Sequence, residues 1–120
     1  MPKNQASSDL PIIDWELGLK LAGNNRELAE EILSLFAKSL PDEFNGIFQA
    51  KSSNNTTELL IRLHRLRGGV SYTGLARLKH AITAYEKGVK DNATNKLSDL
   101  YMNFETEVTQ ALQQIGNKSE

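Results

Sequence analysis

The chain's only two histidines are His64 and His80. An unperturbed imidazole titrates near about 6.5, so at pH 7 it is mostly neutral and can act as a nucleophile. Around His64 the sequence reads ELLIRLHRLRGGVSYTG over residues 58–74. Leu59, Leu63, Leu66 and Val70 are spaced 4, 3 and 4, which places them within about 60° of one another on a helix. On the same wheel His64 lies roughly 130° from the centre of that stripe, so it points away from the core. Leu60, Arg67, Gly68 and Ser71 fall one or two turns from it on the same side.

Arg67 and Gly68 give that histidine a chemical setting. A guanidinium three residues on can reach an anion held on the imidazole, and its fork of donors suits phosphate oxygens. Gly68 and Gly69 each cost up to about 1 kcal/mol against alanine in a helix interior. Val70 keeps the core register beyond them, so the helix is expected to continue through both. Gly68 then leaves the space beside the imidazole open to a bulky partner. Phosphoryl transfer needs mainly positioning and charge neutralisation from the protein, so such a surface suffices for a phosphoryl carrier. It does not suffice for a kinase, since no nucleotide site is visible.

The elements that must position these residues read as helices. Asp14 can cap a short helix to about residue 22, ended by Gly23, with Trp15, Leu17, Leu19 and Leu21 as its apolar surface. Asn24 and Asn25 precede a longer helix with Leu28, Ile32, Leu35, Phe36 and Leu40 at helical spacing. Pro41 is expected to kink it, with Phe44, Ile47 and Phe48 on the continuation to 51. A third helix spans about 58–72, followed by Gly74. A fourth spans about 75–87, with Leu78, Ile82, Tyr85 and Val89 apolar and Gly88 as its stop. A last one begins at Thr94 to Leu97 and runs to about 115, closed by Gly116. Trp15, Phe36, Phe44 and Phe48 are expected in the core. No segment alternates convincingly at period two. The expected fold is all-α: an antiparallel up-down four-helix bundle with a short additional N-terminal helix. Residues 1–8 read as a disordered leader or linker, 9–116 as the bundle and 117–120 as a polar tail.

The segment His64-Arg65-Leu66-Arg67-Gly68-Gly69, with Gly74 six residues beyond Gly68, resembles the H-x-L-K-G segment of histidine phosphotransfer (HPt) domains. The resemblance extends through Leu75-Ala76-Arg77-Leu78. With Ile13-Asp14-Trp15 and the kinked second helix it is similar to the C-terminal HPt module of tripartite hybrid sensor kinases, over about residues 12–115. It implies that His64 is the phosphoacceptor, through Nε2, and that Arg67 replaces the usual lysine as the phosphate-stabilising cation. Gly68 matches the family's glycine. The resemblance also implies exchange with the receiver domains of a hybrid kinase and of a response regulator. Magnesium would belong to the receiver, and the chain itself is expected to need no cofactor or metal. As a module it would have no ATP-dependent kinase activity of its own.

Composition sets the remaining limits. The 120 residues carry 14 Lys+Arg and 15 Asp+Glu, a net charge of −1. Scattered basic residues lack the patch of a general nucleic-acid binder. The absence of cysteine excludes disulfides, zinc thiolates and thiol nucleophiles. No stretch approaches the roughly 20 apolar residues of a membrane span, so a cytoplasmic location without direct membrane contact is expected. His80 falls opposite the apolar side of its helix, with no glycine one turn away, and reads as a solvated residue. Leu17, Leu21, Leu40, Leu60 and Ser71 are candidates for a partner surface beside His64. A rival reading is a non-catalytic helical adaptor that docks partners in an apolar groove. A second is a kinase dimerisation unit, but the chain has enough helices to close a monomeric bundle.

Overall fold

The computed structural model describes residues 9–119, and the expected leader at 1–8 lies outside them. Five helices follow one another: α1 (Trp15–Leu21), α2 (Arg26–Ser52), α3 (Thr56–Val70), α4 (Ala76–Lys90) and α5 (Leu97–Ser119). Among the described residues there is no strand. Helix α2 packs on α3, α3 on α4 and α4 on α5, while α5 closes back on α2 and α1 lies against α2. This is the four-helix bundle with a short N-terminal helix that the apolar periodicity implies.

The starts of the first three helices are set by short polar side chains. Asp14, Asn25 and Asn55 each accept from the backbone N–H three residues on, satisfying a donor that has no partner inside the helix. The turns after α1, α2 and α4 place Asn24, Asn54 and Asn92 at φ of 64, 57 and 55°, a region where asparagine is better tolerated than most residues. Helix α2 runs unbroken through Pro41, where a helix interior normally loses a hydrogen bond.

The core is a spine of Leu33, Leu40, Ile47, Leu63, Leu66, Val70, Leu78, Ile82, Phe104 and Val108, joined by Tyr85 and Tyr101. Phe104 is fully buried and meets Phe44, Tyr85 and Tyr101 at ring separations of 5.6, 5.8 and 6.2 Å. Several sequence expectations shift here. The buried register of α2 is Leu33, Leu40 and Ile47, so Leu28 and Leu35 on the expected stripe are exposed. Phe48 is exposed as well, with the Lys51 ammonium 5.9 Å from its ring centroid. Gly88 does not stop α4, which continues to Lys90. It is buried against α5, where a Cβ would come within 2.5 Å of Leu100. Gly116 likewise lies inside α5, and the helix reaches Ser119 through most of the expected tail.

Helix α1 is fastened where α3 turns into α4. The Asp14 N–H donates to Gly74 O at 2.7 Å. Gly74 has φ +79°, and a Cβ there would sit 2.7 Å from Asp14 O, so both its conformation and its surroundings require glycine. Thr73 is buried in the same turn. Its hydroxyl donates to Val70 O and accepts from the Leu75 N–H, which fixes the end of the helix that carries His64.

Candidate functional site

Helix α3 holds its register through Gly68 and Gly69 to Val70, as the core spacing requires. The Leu59, Leu63, Leu66 and Val70 stripe is buried, and that turns His64 outward with 71% of its side chain exposed. Arg67, one turn on, brings its Nη2 to 3.1 Å from His64 Nδ1. A Cβ on Gly68 would meet nothing within 4 Å, so the space beside the ring is open. Gly69 lies towards Phe36 of α2, where a Cβ would make ordinary contact at 3.6 Å. The three residues singled out by spacing thus form one surface.

A fourth member comes from α4. Glu86 is buried, with 5% of its side chain exposed, and its Oε1 accepts from Arg67 Nε at 2.6 Å. Its Oε2 lies 3.5 Å from His64 Nδ1 and 3.6 Å from Lys90 Nζ, and no hydrogen bond completes it. A carboxylate this deep must be compensated by charge or hydrogen bonds. Arg67 supplies most of that compensation, so the guanidinium is a positioned group rather than a free surface charge. Sequence reading missed Glu86 and Lys90. A signal for Glu86 was present: it sits four residues after Ile82 and three before Val89, inside the apolar sector of α4, where an unpartnered acid is out of place.

This geometry separates the two ring nitrogens. Nδ1 faces inward to Arg67 and Glu86, which leaves Nε2 as the outward atom. Arg67 can only donate, so the 3.1 Å contact makes Nδ1 the acceptor and puts the ring proton on Nε2; in the other tautomer, with Arg67 Nη2 turned away, Nδ1–H donates towards Glu86 Oε2 and the Nε2 lone pair is free for attack. Arg67 and Lys90 are two cations gathered on Glu86, on the Nδ1 side of the ring.

The suggested partner surface divides. Leu17 and Leu21 on α1 are exposed, at 40% and 43%. Leu60 and Ser71 are half-buried, and the Ser71 hydroxyl donates to Arg67 O. Leu40 does not belong to this surface. It is fully buried in the core because α2 turns its 33–40–47 register inward, so no partner can touch it. His80 is exposed on α4, six residues before Glu86, which is about 120° round the helix from it. No group of three His, Cys, Asp or Glu able to hold a metal occurs among the described residues. No helix there is long and apolar enough to cross a membrane.

The size of Gly68 can be tested directly. Gly68→Gln should leave the bundle folded and stabilise it by up to about 1 kcal/mol, since a good helix former replaces glycine inside α3 and its side chain enters solvent. The same change should hinder any partner that must reach His64. Urea unfolding and the transfer assay described below read the two effects separately.

The chain matches no family model. It is 33% identical over 82 residues to the sensor protein GacS of Pseudomonas syringae pv. syringae, an alignment covering 68% of this chain and 9% of that protein. It is 27% identical over 105 residues to the signal transduction histidine-protein kinase BarA of Shigella flexneri, covering 88% of this chain and 11% of the kinase. The chain therefore spans about a tenth of the length of these curated relatives. Among solved structures it superposes with a TM-score of 0.76 on the HPT domain of a sensor hybrid histidine kinase from Shewanella. That match covers 88% of this chain and 92% of the other, at 22% identity. By fold the chain is a histidine phosphotransfer (HPt) bundle, and by sequence it is similar to a short segment of sensor histidine kinases.

Proposed function

We propose that the chain is a phosphorelay carrier. His64 accepts a phosphoryl group from the aspartyl phosphate of one receiver domain and passes it to the aspartate of another. The observation that carries this reading is the exposed His64 ring, backed by Arg67 and bordered by the open face of Gly68.

In the forward step, His64 Nε2 attacks phosphorus. The bond between phosphorus and the aspartyl oxygen breaks, and the leaving carboxylate keeps the electron pair. The imidazole gains positive charge while Nδ1 keeps its proton, and the Glu86 carboxylate lies beside that proton. Arg67 is held by Glu86 through Nε and has Nη2 free to turn from the ring to a phosphoryl oxygen. Lys90, with 58% of its side chain exposed, adds a second positive charge on the α4 side. Transfer to the next aspartate reverses these steps. Magnesium belongs to the receiver's acidic pocket, and the chain acts as a monomer in the cytoplasm, with no nucleotide of its own. Leu17, Leu21 and Leu60 form the apolar part of the docking face.

The test is incubation of the purified chain with phosphorylated receivers. The expected product is phosphate on the chain that is stable in base and lost in acid. Failure to label across receivers from several sensor kinases of this kind would overturn the proposal in favour of a non-catalytic adaptor.

A further inference from the structure

Two groups compete for His64 Nδ1. Arg67 Nη2 stands 3.1 Å away and can only donate, so this contact needs the Nδ1 lone pair. Glu86 Oε2 stands 3.5 Å away and, when ionised, can only accept, so that contact needs a proton on Nδ1. A neutral imidazole carries one ring proton, and the two contacts exclude each other. The arginine has the shorter one. Its hold places the proton on Nε2 and leaves the outward atom without a lone pair to attack with.

The losing partner is left incomplete. Glu86 Oε2 is buried and receives no hydrogen bond, and the Lys90 ammonium stops 3.6 Å from it. A buried carboxylate oxygen without a donor is costly, and the Nδ1–H of the other tautomer would supply one from beside it. Arg67 can yield the ring without leaving Glu86. Its Nε is the atom that meets Oε1, at 2.6 Å, and only the outer Nη2 meets Nδ1.

We propose that Arg67 keeps His64 in the unreactive tautomer at rest and that Glu86 is the positioning residue for the reactive one. An incoming phosphoryl group draws Nη2 to its oxygens. One proton then passes from Nε2 to solvent and one from solvent to Nδ1, where it meets Glu86 Oε2. No net proton is gained or lost, and the Nε2 lone pair faces phosphorus. Once the Nε2–P bond has formed and the aspartyl P–O bond has broken, the ring proton is fixed on Nδ1. Arg67 then has no lone pair to return to and stays with the phosphoryl oxygens. Nucleophilicity at His64 thus depends on an anion arriving beside Arg67. This use of the switch rests on the relay reading, but the tautomers themselves can be read without a receiver.

The measurement uses the full chain labelled with ¹⁵N-histidine. The chemical shifts of the ring nitrogens, at a pH where both imidazoles are neutral, report which atom is protonated, with His80 as the internal reference. His64 should carry its proton on Nε2. Arg67→Met should move the ratio about tenfold towards Nδ1–H, as the Glu86 carboxylate gains the ring as a donor. Adding Glu86→Met should cancel that shift, and replacing a buried ion pair by apolar side chains commonly leaves a fold intact. Neutral diethyl pyrocarbonate, which acylates the ring nitrogen that has the lone pair, should modify His64 several-fold more slowly than His80 in the parent chain. Three results would overturn the proposal: Nδ1–H as the major form in the parent, an unchanged ratio in folded Arg67→Met, or equal acylation of His64 and His80 in the parent. Failure of receivers to label the chain would instead remove the relay and leave these readings as they are.

Discussion

Replacing His64 by glutamine should abolish phosphoryl acceptance and leave the fold intact. The side chain is 71% exposed and contributes nothing to the core, and glutamine is a better helix former than histidine. A surface change of this kind stays within about 0.5 kcal/mol of the parent stability. The chemical loss is complete because no other nucleophile shares the site. His80 lies about 120° round α4 from Glu86 and lacks an arginine held beside it as Arg67 is held beside His64. The measurement is retention of acid-labile phosphate after incubation with a phosphorylated receiver, beside a urea unfolding curve. Undiminished label on the variant would move the phosphosite elsewhere in the chain. Unchanged signalling without any label would favour the adaptor.

Phe104→Ala should give the largest loss of stability. The ring is fully buried and is shared by three helices, meeting Phe44 of α2, Tyr85 of α4 and Tyr101 of its own α5. Truncating a buried phenylalanine typically costs about 3–5 kcal/mol, through lost transfer energy and the cavity left behind. That is a large share of the roughly 5–15 kcal/mol that holds a domain of ordinary stability. The melting temperature should fall by about 10–20 °C for a chain of this length. A drop of only a few degrees would mean that the neighbouring rings collapse into the space.

The candidate surface was legible because it lies within one helix. His64, Arg67 and Gly68 are one turn apart, so spacing alone places them together once Leu59, Leu63, Leu66 and Val70 set the register. Glu86 comes from another helix, and its meeting with Arg67 depends on how α3 and α4 pack, which no local pattern encodes. Helix α2 misled for a related reason. It contacts α1, α3 and α5, so its apolar residues spread round much of its surface, and the expected stripe took in Leu28 and Leu35 along with Leu40 and passed over Leu33. That ambiguity put Leu40 on a docking face when it lies in the core. Gly88 and Gly116 read as stops because glycine commonly ends helices. At Gly88 the residue is instead small because α5 passes close, a fact that exists only in three dimensions.

The burial of the inner face of α3 has a consequence for motion. Leu63, Leu66 and Val70 are each at most 3% exposed, and the helix is tied at one end by Asn55 and at the other by Thr73. Amide protons along this segment should exchange only through global opening of the bundle, at the slow end of the range within the molecule. The outward residues of α3 therefore ride on its most rigid backbone. A partner that docks there meets a face already in place, and association forfeits little conformational entropy on this side of the interface.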